Sequence, residues 1–107
     1  MSYSVILIEN FKKESKRLIK KFPSLKQELK ALNDNLEHNP AIGTPLAKSC
    51  YKIRLAVASK GKGKSGGARV ITHVYVEGKK VFLLSIYDKS EREDIDDQEI
   101  ERLLKGL

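Results

Sequence analysis

One cysteine, no tryptophan and only three prolines in 107 residues exclude several kinds of protein before any pattern is read. The lone Cys50 can form neither an intramolecular disulfide nor a thiolate metal cluster, and it suits a reducing compartment. Long hydrophobic runs are missing too. The most apolar run, residues 5–8, is far shorter than a membrane span or a signal-peptide core, and no basic stretch precedes it. A cytoplasmic protein with no membrane association is expected. Acidic residues are scarce beside basic ones, 14 against 21, for a net charge of +7 and a pI near 9.5. That balance is silent about fold but favours nucleic acid or another anionic surface as partner.

What is present describes a protein that folds. A hydrophobic fraction of 40% beside 33% charged residues is ordinary for a globular chain and too apolar for a disordered one. The length allows one core, so residues 1–107 are read as a single domain. The charge is unevenly placed. Residues 52–89 hold nine basic side chains against two acidic ones, whereas residues 91–107 are net acidic.

The periodicities give an order of elements. Residues 3–8 read as a buried strand. Asn10 is a candidate cap for a helix with Phe11, Leu18, Ile19 and Phe22 inward and Lys12, Lys13, Lys16, Arg17 and Lys20 in solvent. Phe22-Pro23 ends it. Ser24 with Gln27 forms a candidate capping box for a second helix with a Leu25, Leu29, Leu32, Leu36 stripe, stopped at Asn39-Pro40. Two helices so tightly joined predict a hairpin lying on one face of a sheet. Residues 41–49 read as a loop. Residues 51–57 alternate, with Tyr51, Ile53, Leu55 and Val57 toward the core and Lys52 and Arg54 on an open face. Residues 68–76 and 80–87, joined by Glu77-Gly78, complete a three-strand meander. Asp96 is the expected N-cap of a last helix, with Glu99 completing a capping box, Ile95 and Ile100 forming a staple, and Gly106 at its end. The acidity of this end suits the helix dipole. The predicted class is α+β: a small antiparallel sheet of an N-terminal strand plus the meander, a helix hairpin packed on it, and a C-terminal helix.

The loop Lys60-Gly61-Lys62-Gly63-Lys64-Ser65-Gly66-Gly67 invites a nucleotide-binding reading through Gly63-Lys64-Ser65. It fails, because Ala58 stands where a phosphate loop needs its first glycine and a strand follows where a helix N-terminus is required. A flexible cationic loop that follows a phosphodiester backbone remains, with a plain hairpin loop as the alternative.

Tyr51-Lys52-Ile53-Arg54, then Gly63-Lys64-Ser65-Gly66-Gly67-Ala68-Arg69-Val70-Ile71, then Ile86-Tyr87-Asp88-Lys89-Ser90-Glu91 carry a family resemblance. The chain resembles the RelE/ParE superfamily of bacterial toxin–antitoxin toxins, more narrowly its RelE/HigB-type branch, over nearly its whole length. The resemblance implies a RelE-like fold and a small endoribonuclease that enters the ribosomal A site and cuts mRNA without a metal or cofactor. It also implies an antitoxin partner of the helix-turn-helix DNA-binding type. Arg54, Arg69, Tyr87 and Lys89 fall where relatives keep catalytic or base-stacking residues, and Lys52, Lys60, Lys62, Lys64 and His73 join them as RNA-binding candidates. Two rivals stay open: a ParE-like gyrase poison, and an inactive antitoxin-binding module. The glycine-rich motif favours the RNA-cleaving branch.

The chemistry fits that implication. Metal-free RNA cleavage needs a base for the 2′-hydroxyl, an acid for the 5′-oxygen and fixed positive charge at the phosphate. Arg69 suits the third role, because a guanidinium stays protonated and grips phosphate through two N–H groups. The neighbouring Gly66-Gly67 is expected to let an RNA backbone approach it. His73, four residues from Arg69 along a strand and so roughly 13 Å away at ~3.3 Å per residue, is too far to act on the same phosphate. Tyr87 is a candidate for proton transfer, for stacking on a base, or for plain packing.

Overall fold

The computed structural model describes residues 2–61, 63 and 65–107. The apolar run forms β1 (Ser4–Leu7) and passes directly into α1 (Glu9–Lys21), with Ile8 at the N-cap. Asn10 is therefore inside the helix and not its cap. Its side-chain amide donates to Glu14 Oε1 at 2.9 Å and to the Leu84 carbonyl at 3.0 Å. A long-range acceptor on the sheet outcompetes the local capping bond. Phe11, Ser15 and Leu18 form the buried stripe, and Phe22 closes the helix.

α2 (Leu25–His38) buries Leu25, Leu29, Leu32 and Leu36 and stops at Asn39. Ser24 holds the N-cap position, but its hydroxyl makes no capping bond. That hydroxyl accepts the Ser59 N–H at 2.9 Å and donates to Glu28 Oε1, whose other oxygen accepts the Ala58 N–H at 2.8 Å. The start of α2 thus holds the short 3-10 turn Ala58–Lys60, and Gln27 takes no part in a box.

The sheet runs in the order β1-β5-β4-β3-β2, with β3 (Cys50–Leu55), β4 (Ala68–Tyr75) and β5 (Lys80–Asp88) as the meander. Two details differ from expectation. β1 pairs parallel with β5, because the helix hairpin crosses the sheet before the meander begins. The two residues of β2 (Thr44–Pro45), inside the stretch read as loop, extend the edge beside β3.

A register shift gives the central strands their two faces. Ile71 pairs with Ser85 and Thr72 with Leu83, so Leu84 is an extra residue on β5. Beyond that bulge the alternation changes phase: Leu83 and Ile86 pack with the α1–α2 hairpin, whereas Leu84 and Tyr87 join the cluster on the other side. Glu14 braces the bulge, accepting from the Ser85 hydroxyl at 2.7 Å and the Ile86 N–H at 3.2 Å.

The second face is not as open as the alternation implied. α3 (Asp97–Lys105) lays Ile100 and Leu103, with Ile95 before them, onto Cys50, Ile71, Leu84 and Tyr87. Asp96 caps it, accepting the Gln98 N–H at 3.0 Å. Glu99 turns instead to Arg92, and Gly106 ends the helix in a right-handed conformation, so neither the box nor a left-handed cap forms.

Lys60 pins these layers together. Its side chain is 5% exposed and its ammonium meets Asp88, itself 3% exposed, with Ser90 Oγ at 2.9 Å and the Phe22 ring 5.4 Å away. Burial disfavours ionised Asp88, yet the hydrogen bond from Lys60 and the Ser90 N–H outweigh it and hold the carboxyl below its usual range. Removing one member of such a pair leaves a buried charge poorly compensated, Asp88 keeping only Lys21 among the described cations, at 3.8 Å. Lys60→Met is expected to cost ~3–5 kcal/mol, and Lys60→Met with Asp88→Asn to recover part of that loss. Urea denaturation of Lys60→Met, Asp88→Asn and the double variant checks this; a double variant as unstable as the sum of the singles would show that the two groups act independently.

Candidate functional site

Antiparallel pairing turns a dispersed set of residues into one row. Arg54 on β3 is the Cα partner of Arg69 on β4, which is the partner of Tyr87 on β5. Paired residues point to the same side, and strands lie ~4.8 Å apart, so three groups from three strands share one band of the second face. Lys52 occupies the next rung, opposite Ile71.

Exposure differs sharply along the row. Arg54 is exposed and has no ion pair among the described residues. Arg69 is 5% exposed and donates to the carbonyl oxygens of Ala68 and Ser65, at 3.2 and 3.1 Å. Tyr87 is 4% exposed, its hydroxyl 3.4 Å from Asp94 Oδ1 and its ring 5.5 Å from the Arg92 guanidinium. The same Asp94 oxygen takes Lys52 Nζ at 3.2 Å and the Ile95 N–H at 2.9 Å. Asp94 is thus a hub held below its ordinary pKa, first by the Ile95 N–H and then by Lys52.

Tyr87 responds in the opposite sense. Burial, then the negative charge of Asp94 and its hydrogen bond, push the phenol up to about 12 against the pull of Arg69 and Arg92. At neutral pH the row therefore offers donors only: two guanidiniums, a lysine ammonium and a protonated phenol. Such a set can hold a phosphate and stabilise added negative charge on it.

The other candidates lie apart. Lys89 is half-buried, its ammonium 3.9 Å from Glu93 and its N–H bonded to the Gly67 carbonyl at 3.1 Å. Lys60 is committed to Asp88, as described. His73 Nδ1 lies 3.0 Å from the Lys48 carbonyl, which can only accept, so that nitrogen carries a proton; the ring stacks on Phe82 at 6.3 Å. Lys62 and Lys64 lie outside the described residues. Gly67 has a reason unrelated to RNA, since a Cβ there would sit 2.1 Å from the Leu55 carbonyl oxygen. Arg92 and Asp94 were legible only as part of an acidic end, because their partners, Tyr87 and Lys52, are set by the fold of the segment after β5 and not by a local pattern. No three His, Cys, Asp or Glu side chains among the described residues converge to hold a metal ion. Nor is any helix among them long and apolar enough to cross a membrane.

Fold and row together describe a small α+β domain with cationic and phenolic side chains aligned on the second face of its sheet. The profile of the RelE toxin of the RelE/RelB toxin–antitoxin system matches residues 8–106, and the chain belongs to that family; it is a toxin of a toxin–antitoxin system. Solved structures agree on the fold at low identity. A mutant of the E. coli toxin RelE with two arginines replaced by alanine, in the free state, superposes with a TM-score of 0.66 at 22% identity, covering 100% of this chain and 99% of that one. The isolated E. coli RelE toxin gives 0.63 at 22%, covering 99% and 100%. The same mutant in complex with a RelBc antitoxin peptide gives 0.62 at 22%, covering 100% and 96%.

A raised phenol has a stability consequence. Below pH 10 Tyr87 is protonated both folded and unfolded and adds no pH dependence. As pH rises from the ordinary value of 10.0 toward about 12, the unfolded chain releases the proton first and the folded state loses stability. Denaturant midpoints of the parent and Tyr87→Phe are therefore expected to converge over that range; a constant gap would mean that the phenol is not raised.

Proposed function

We propose that this toxin is an endoribonuclease that cuts mRNA in the ribosomal A site without a metal. The observation that carries the reading is the row itself: Arg54, Arg69 and Tyr87 from three strands in register, beside Lys52. In the reaction the 2′-oxygen forms a bond to phosphorus as the bond to the 5′-oxygen breaks. One proton leaves the 2′-hydroxyl, one reaches the 5′-oxygen, and charge gathers on the phosphate oxygens.

Arg54, exposed, meets the phosphate first. Arg69 donates to the carbonyl oxygens of Ala68 and Ser65 among its partners, and a phosphate forms stronger, charge-assisted bonds than those two. Arg69 then engages charge that peaks in the transition state. Tyr87, protonated throughout the physiological range, acts as a donor and not as a base.

The expected result is separation of chemistry from binding. With mRNA on ribosomes, Arg69→Ala is expected to lower the single-turnover cleavage rate by ~10²–10³ with a smaller loss of affinity. Lys89→Ala should mostly weaken affinity. An Arg69→Ala variant that cuts at the parental rate once bound would remove Arg69 from the reaction. A parent chain that cuts no ribosomal mRNA but inhibits gyrase would replace the nuclease reading with the ParE-like one.

An antitoxin silences such a row by covering it. The E. coli RelE mutant was solved with a RelBc peptide, and an acidic or amphipathic segment of this toxin's own antitoxin is proposed to lie across Arg54 and Arg69 in competition with RNA. In a toxin–antitoxin complex both arginines are expected to lose solvent exposure or their alignment. A neutralised complex that leaves them open and aligned would refute that route.

A further inference from the structure

The bulge on β5 decides which side chain stands beside Arg69. Before it the strands pair Val74 with Val81, His73 with Phe82 and Thr72 with Leu83. Continued unbroken, that register would set Ile86 opposite Arg69 and Tyr87 opposite Ala68, whose side chain packs with the α1–α2 hairpin. The row would then hold an aliphatic group in place of the phenol. The extra residue, Leu84, is what brings Tyr87 opposite Arg69.

An extra residue disrupts the ladder, and buried backbone groups need partners. β1 ends opposite Leu83, and from there α1 takes over the edge of β5. The Asn10 amide donates to the Leu84 carbonyl at 3.0 Å, and Glu14 Oε1 accepts the Ser85 hydroxyl at 2.7 Å and the Ile86 N–H at 3.2 Å. Asn10 and Glu14 stand one helical turn apart and are bonded to each other at 2.9 Å, so they grip residues 84–86 as one clamp. The first turn of α1 arrives already fixed, because the Ile8 N–H bonds the Leu83 carbonyl at 3.3 Å. The clamp also accounts for Glu14, which is half-buried on a helix whose other charged side chains are exposed. We propose that Asn10 and Glu14 are positioning residues for the cleavage reaction, holding the bulge so that Tyr87, and not Ile86, completes the row. This rests on the nuclease reading, and both residues act through the backbone of residues 84–86.

The test uses four variants of the full chain. Glu14→Met removes the acceptor at similar length. Glu14→Gln removes the charge but keeps an oxygen for the same three donors. Asn10→Ala removes the bonds to Leu84 and Glu14, and Leu36→Ala, a core truncation in α2, controls for lost stability. NMR follows the contacts of the Tyr87 ring with Ile95, Ile100 and Leu103 of its cluster. Ribosome affinity, single-turnover cleavage at saturating ribosomes and thermal midpoints are measured beside it. Glu14→Met is expected to lose the ring contacts and to lower saturated cleavage by about tenfold to 10²-fold, the scale of a small misplacement of a reacting group, with affinity near that of the parent. Asn10→Ala should move both readouts the same way, more weakly, and decides the matter if Glu14→Met does not fold. Glu14→Gln should restore both, and Leu36→Ala should keep both despite a lower midpoint. Ring contacts retained when the clamp is removed, or lost equally in Leu36→Ala, would overturn the proposal. If the parent cuts nothing, the nuclease reading falls while the ring contacts still decide whether the clamp places Tyr87.

Discussion

The rest of the structure depends on a lysine ammonium and a carboxylate removed from water together. Lys60 ends the turn after β3, Asp88 ends β5, and both side chains are nearly fully buried. Each charge is costly there without the other, Lys21 reaching Asp88 only at 3.8 Å, so the pair fixes where the glycine-rich connection leaves the sheet and where the chain turns after its last strand. Phe22 of the helix hairpin covers the ammonium, Ser24 and Glu28 hold the turn from below, and the Gly67 carbonyl receives Lys89. Arg69 begins its strand within this frame. The Arg69 guanidinium, proposed above to meet phosphate, is placed by a cation that is itself sealed from solvent.

The frame also explains why the Arg54–Arg69–Tyr87 row is half closed. β4 and β5 are covered on one side by the hairpin and on the other by α3. Such strands are buried on both faces, and a charged side chain survives among them only with a polar partner. Arg69 finds backbone carbonyls, and Tyr87 finds Asp94. The burial that raises the phenol also removes it from solvent, so Arg54 is the exposed end of the row. Charge is kept dry there at the cost of access.

Local pattern reached a good part of this. The leucine stripe of α2, the stop at Asn39, the meander and the Asp96 cap all depend on neighbours within a few residues, and each is present. Asn10, Ser24 and Glu99 misled for one shared reason: a side chain able to cap a helix is equally able to bond elsewhere in the fold. Asn10 found the Leu84 carbonyl and Glu99 found Arg92, while the hydroxyl of Ser24 was taken by Ser59. The open second face was overestimated because alternation within a strand reveals a polar side but not a helix that returns to cover it.

The sequence by itself determined the three helices, the four longer strands, their order, the surplus of positive charge and the family motif, because periodicity, turn residues and composition act over short spans of chain. Only the tertiary structure decided which cations are available. Lys60 and Arg69 are both basic residues beside glycines, alike in the sequence. Yet one is sealed against Asp88 and the other lies in register between Arg54 and Tyr87. Register, the bulge at Leu84 and the return of the segment after β5 couple residues tens of positions apart, and a coupling of that range leaves no local trace.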